Sequence, residues 1–168
     1  MTDTWPIDPT QVKAQEPLGH ALLALNNAHA QELSWLEPER LVHLVKEAFL
    51  ASRIGSIDAF LLAFDQGADY DSPNFLWFRS RYARFVYVDR IAVAQAARGR
   101  GYARALYDEL FVRAARAGHD RVVCEVNSMP PNPESDAFQA ALAFSEVGTG
   151  IIHGRGKTVR YLSLALAT

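Results

Sequence analysis

Apolar residues recur along this chain at two periods, and the switches between the periods mark out its elements. From Pro17 to His29 the stretch PLGHALLALNNAH places Leu18, Leu22 and Leu25 on one helical face, and NNAHAQELSW then breaks the pattern into a loop. In EPERLVHLVKEA, Pro38 suits a first helical turn, while Leu41, Leu44, Val45 and Ala48 form a second apolar stripe. FLASRIG and IDAFLLAFDQG are short apolar runs around Gly55 and Ser56, which predicts two strands and a tight turn. The polar and aromatic ADYDSPNFLWFRSRYA predicts irregular structure.

FVYVDRIAVA, Phe85 to Ala94, has the β-branched and aromatic content of a central strand and runs straight into AARGRGYARAL. A helix follows, with Ala103, Leu106, Tyr107, Leu110, Phe111 and Ala114 on one face and Gly118 as its stop. RVVCEVN, Arg121 to Asn127, supplies another strand, ESDAFQAALAF a short helix after the turn-forming SMPPNP, and VGTGIIHGRGKTVRYLSLAL a closing hairpin. Residues 1 to 10 hold two prolines and little periodicity, so they predict a tail leading to a short strand near Gln11 to Gln15. The sum is one mixed α/β (α+β) domain over residues 11 to 168.

Composition narrows the class without naming it. With 49% hydrophobic and 21% charged residues in 168, the chain has enough apolar material for a core without disulfide or metal, and no run long enough to span a membrane. The first ten residues lack the basic start and apolar stretch of a secretory signal, and the single cysteine cannot form an internal disulfide, so a cytoplasmic location is expected. His20, His29, His43, His119 and His153 are scattered without a ligand pair, so no metal is expected. A formal charge of −2 argues against a surface built for nucleic acid, so any basic function is local.

That local feature is the run from Arg98 to Arg104, where three arginines and two glycines precede a helix. A helix start leaves backbone N–H groups without partners and carries partial positive charge, which suits phosphate. Gly99 and Gly101 let the backbone approach such a guest, and Arg98, Arg100 and Arg104 add charge at the rim; a solvated turn is the other reading. A Walker loop fails for want of GK(S/T), and a dinucleotide fingerprint for want of its third small residue and its acidic partner.

VDRIAVAQAARGRGYARAL closely resembles the central motif of the GCN5-related N-acetyltransferases, (Q/R)xxGx(G/A), with Arg98, Gly101 and Ala103 in its three defined places. QVKAQEPLGHALLALN resembles that family's first strand and helix, and NPESDAFQAALAF its late helix. The resemblance implies a mostly antiparallel mixed sheet flanked by helices, its fourth and fifth strands splayed to admit the pantetheine arm of acetyl-CoA. It assigns the pyrophosphate to Arg98, Gly99, Arg100, Gly101, Tyr102, Ala103 and Arg104, and the pantetheine edge to the backbone of Ile91, Ala92 and Val93. It also places Asn132 and Ser135 against the cofactor arm, although Asn132 equally fits a plain turn or helix start.

Direct acetyl transfer needs a neutral amine, a stabilised oxyanion and a leaving thiolate. An alkylammonium has a pKa of about 10.4, so a base must take its proton. Asp89 and Glu125 are the carboxylates inside otherwise apolar strands, where burial raises a carboxyl pKa unless a cation such as Arg90 compensates; a sheet-stabilising salt bridge is the competing reading. Tyr87 occupies roughly the fourth-strand place of a catalytic glutamate in some relatives, with Asp89 on the same face unless a bulge intervenes. The family pattern NxxAxxFY is here Asn132, Ser135, Phe138 and Gln139, and glutamine cannot act as the late-helix acid. The oxyanion falls by resemblance to a backbone N–H near Val93, and Cys124, flanked by Val122 and Val126, is expected in the core.

By resemblance, Asn26, Asn27 and Trp35, with Asp69, Tyr70, Asp71 and Trp77, bound the acceptor, a small-molecule or peptide amine. Neither nucleic acid nor membrane is expected as a partner, and a homodimer is compatible with the sequence. The alternative to an acetyl-CoA-dependent N-acetyltransferase is a non-catalytic acyl-CoA-binding or regulatory domain of the same fold.

Overall fold

In the computed structural model, which describes residues 2–152 and 156–167, a seven-stranded sheet lies between two helical layers. In chain order the elements are β1 (Trp5–Pro6), α1 (Pro17–Ala28), α2 (Ala30–Leu33), α3 (Pro38–Glu47), β2 (Leu50–Ile54), β3 (Ala59–Asp65) and α4 (Pro73–Arg79). There follow β4 (Val86–Val93), α5 (Tyr102–Arg116), β5 (Arg121–Met129), α6 (Pro133–Ala141), β6 (Ser145–Ile152) and β7 (Lys157–Ala165). The strand order is β1-β2-β3-β4-β5-β7-β6, antiparallel throughout except for β4 beside β5. His153 lies outside the described residues.

The two faces of the sheet bury different sets of residues because side chains alternate along a strand. Leu62, Phe64, Tyr87 and Val123 face Leu22 of α1, Leu41 and Leu44 of α3, and Phe75 and Phe78 of α4. Leu61, Ala63, Val86, Val88, Cys124 and Val126 face Leu106, Tyr107, Leu110 and Ala114 of α5. Cys124 is therefore a core residue, as its neighbours Val122 and Val126 suggested.

Three local expectations are corrected. Gln11 to Gln15 form no strand; Asp8 caps a 3-10 turn over Pro9–Val12 in a capping box with Gln11. The sheet edge is instead made within the expected tail, where Trp5 and Pro6 pair with Arg53 and Ser52 and Ile7 is buried. Asp69 to Ser72 are irregular as expected, but the rest of that segment is not: Pro73 opens α4, whose fully buried Phe75 and Phe78 supply the packing that its short sequence pattern concealed. The break after α1 is likewise partly helical, as α2.

Two irregularities in the sheet set the geometry of the site. β4 and β5 pair only at Val86 with Val122 and Tyr87 with Val123, and beyond that point the strands part. Opposite Leu62 and Ala63 of β3 the register slips, so that Ala63 faces Val88, Leu62 faces Arg90, and Asp89 is the extra residue of a bulge.

Candidate active site

The parting of β4 and β5 opens a cleft of about 510 Å³. One wall is the β4 edge at Ile91, Ala92 and Val93, whose β3 side is paired while its β5 side is not. The mouth is the loop into α5: Gly99 and Gly101 have φ of 80° and 76°, in the left-handed region that favours glycine. Gly101 is the N-cap of α5 and no side chain caps it, so the first amides of the helix have no intrahelical partner and face a site suited to an anion. A Cβ built at either glycine meets no atom within 4 Å, so the space before the loop is open. Arg98, Tyr102, Ala103, Arg104, Asn132 and Ser135 also line the cleft, whereas the exposed Arg100 does not. Asn132 caps α6, accepting from the Ser135 amide at 3.3 Å, so its capping reading holds at the cleft wall.

A second cavity of about 310 Å³ lies on the other side of the gap, between the α2–α3 connection, the start of α4 and the β6–β7 hairpin. Asp89, Arg90, Glu125 and Asn127 line both cavities, so the two spaces meet at the sheet.

The two buried carboxylates at this junction have different partners. Asp89 is fully engaged: Oδ2 accepts from Arg90 Nε at 2.8 Å and Oδ1 from the Tyr70 hydroxyl at 2.6 Å. The bulge turns Arg90 toward the same side, where its Nη1 donates to Asn26 Oδ1 at 2.9 Å and to the Ser34 carbonyl at 3.2 Å. Burial and the adjacent Asp89 carboxylate push the Tyr70 phenol well above its ordinary range. Tyr70→Phe removes a buried donor to Asp89 and is expected to cost about 1–3 kcal/mol, read as a lowered urea midpoint at unchanged m-value.

Glu125 has one oxygen held, while the Tyr87 hydroxyl lies near the carboxyl but outside hydrogen-bond geometry. Oε1 accepts from Asn74 Nδ2 at 3.0 Å, and the Asn74 Oδ1 in turn accepts from the Tyr161 hydroxyl at 2.9 Å. Oε2 is buried and has no hydrogen-bond partner among the described residues. Burial pushes the Glu125 carboxyl from 4.5 up to about 8, and the nearby Asp89 charge adds to it, against the lowering effects of Tyr87 and Asn74. Tyr87, wholly buried beside Glu125, is itself pushed well above the usual phenol range, mainly by burial.

A pH dependence of stability follows from the raised Glu125 pKa. Because the folded carboxyl ionises later than the unfolded one, its contribution is complete below about 4.5 and is lost as pH rises through about 8. Wild-type protein is therefore expected to lose stability over that interval, and Glu125→Gln to flatten that part of the curve, as measured by denaturation at a series of pH values.

The sequence matches the profile of the Acetyltransferase (GNAT) family over residues 13–144. The chain belongs to that family. No curated protein sequence matches this acetyltransferase. Solved structures share its fold: the ribosomal-protein-S18-alanine N-acetyltransferase from Escherichia coli superimposes with a TM-score of 0.70 at 15% identity, over 100% of this chain and 96% of that one. Arabidopsis thaliana NAA60 in complex with acetyl-CoA gives 0.71 at 16% identity over 98% of both chains. Ard1 from Thermoplasma volcanium gives 0.73 at 12% identity over 99% and 98%.

Of the acceptor-side residues expected in this acetyltransferase, Trp35, Tyr70 and Asp71 line the second cavity, with Asp71 paired to Arg40 at 2.9 Å. Asn26, Asn27, Asp69 and Trp77 line neither cavity. Asn26 and Asn27 instead hold the Ser34–Leu36 backbone, and Asp69 lies by His43. Trp77 stacks on Tyr161, 4.0 Å between ring centroids, and so backs the Tyr161–Asn74–Glu125 chain. Sequence reasoning missed Asn74, Tyr161 and Asn127, which carry no local signal, and it placed Tyr107 on the apolar face of a helix without seeing that it also lines the cleft.

Proposed function

We propose that this acetyltransferase passes the acetyl group directly from acetyl-CoA in the larger cleft to an amine in the smaller one, with Glu125 as proton acceptor. The observation that carries this reading is the unpartnered Oε2 of Glu125 at the junction of the two cavities. Bound acetyl-CoA supplies an acyl carbon open to attack and a thiol leaving group. The first-turn amides of α5 and the Arg98 and Arg104 guanidinium groups hold its phosphates, and the free edge of β4 at Ile91, Ala92 and Val93 aligns its arm.

Glu125 takes the proton that makes an ammonium nucleophilic. A carboxyl poised near 8 balances availability as a base against driving force at working pH. Asn74 fixes its orientation through Oε1, and Tyr87 lies beside it in a dry setting. Asp89 serves a different purpose, because both its oxygens are occupied: it neutralises Arg90, which holds the Ser34 carbonyl and so the wall of the acceptor cavity. A backbone N–H near Val93 stabilises charge on the acyl oxygen.

The acceptor is a small-molecule or peptide amine, and Trp35, Tyr70 and Asp71 offer an aromatic and acidic lining suited to an ammonium group. The test is acetyl-CoA turnover across a panel of amines, followed by thiol release. Release that depends on an amine supports the reading. CoA binding by calorimetry with no turnover for any amine would instead mark a non-catalytic acyl-CoA-binding domain.

A further inference from the structure

Tyr107 sits on α5 with no solvent exposure, between the rings of Phe111, Phe138 and Phe144, yet it lines the acetyl-CoA cleft beside Cys124. Its hydroxyl oxygen accepts a hydrogen bond from Gln139 Nε2 of α6 at 3.0 Å. Gln139 is only 6% exposed, and its Oε1 has no partner among the described residues. A phenylalanine and a leucine would fill the same space without a buried polar cost, so packing alone gives no reason for this pair. With the amide occupying the phenol oxygen, the hydroxyl's own hydrogen has no acceptor among the described residues and is available to a ligand in the cleft.

We propose that the Tyr107 hydroxyl donates a hydrogen bond to the sulfur that leaves during acetyl transfer, and that Gln139 is its positioning residue. This rests on the acetyltransferase reading above. In the step, the amine lone pair forms the N–C bond to the acetyl carbon, the C–S bond breaks, and its electron pair stays on sulfur. The ammonium loses one proton through Glu125 to solvent before attack, the acylated nitrogen loses a second by the same route as the amide forms, and the thiolate, held by Tyr107, takes a proton from solvent on release. Burial keeps the Tyr107 phenol well above its ordinary pKa, so it remains a donor throughout the working range and does not ionise.

The test uses the full chain carrying Tyr107→Phe, and, because that change leaves Gln139 buried without its partner, also Tyr107→Phe with Gln139→Leu, which removes both polar groups. Both variants are expected to lower kcat by about 10- to 100-fold, the worth of a hydrogen bond to a charged group, with the CoA Kd nearly unchanged. The second readout is the ultraviolet absorbance of the thiolate of bound CoA against pH. The thiol of CoA on the wild type is expected to titrate about one unit below that of free CoA, and both variants to lose that shift. Wild-type kcat and thiol titration in both variants overturn the proposal, as does a loss confined to CoA affinity. Wild-type protein that binds CoA but releases no thiol with any amine overturns the acetyltransferase reading itself, and this proposal with it.

Discussion

Glu125→Gln lowers kcat for acetyl transfer by about 10²- to 10⁴-fold, the range spanned by a positioned general base. The change is close to isosteric, and a glutamine carbonyl can still accept from Asn74 Nδ2, so the fold and the orientation of the side chain persist. What disappears is the unpartnered oxygen at the junction of the two cavities. The pH profile separates this cause from a general loss of activity. In the wild type, kcat rises as the carboxyl ionises around pH 8, because only the ionised form accepts the proton. In the variant that limb is absent, and the remaining rate follows the free amine fraction alone. Steady-state kinetics from pH 6 to 9, a window of about three units chosen to bracket that titration, decides the matter; a variant that retains the wild-type limb would move the base elsewhere.

Gly101→Glu is expected to weaken CoA binding by about 10²- to 10³-fold. Two effects add. A side chain at φ of 76° is strained by about 1–2 kcal/mol, and a carboxylate introduced where phosphate is to sit repels it by a few kcal/mol at short range. Gly101→Ala isolates the strain, since a Cβ there meets nothing within 4 Å, and should cost no more than about tenfold. Calorimetry with CoA, alongside thermal denaturation of all three proteins, separates cradle from scaffold. Equal affinity in the glutamate variant would remove the loop from the cofactor site.

The legible and illegible parts of this site divide by sequence distance. The strand from Val86 to Val93, the loop with its two left-handed glycines and the helix from Tyr102 are contiguous, so alternation, glycine and helical spacing announce them together. The terminal strand at Trp5–Pro6 was hidden because two residues carry no period, and α4 because its seven residues are held by burial of Phe75 and Phe78 and not by a long amphipathic pattern. Gln139 was seen as a missing acid, but its contact with Tyr107 spans 32 residues of chain.

The sequence alone determined the central run of strand, glycine loop and helix from Val86 to Arg116, because alternation, glycine conformation and helical spacing depend on steric preferences of neighbouring residues. It also placed two carboxylates in adjacent central strands. Only the tertiary structure decided which carboxylate is free. Asp89 accepts on both oxygens, from Arg90 and from Tyr70 of the segment before α4, while among the described residues Glu125 accepts on Oε1 from Asn74, 51 residues away, and on Oε2 from none. A carboxyl's proton affinity is set by the burial and partners that folding brings to it, and those arrive from elements that no local pattern connects.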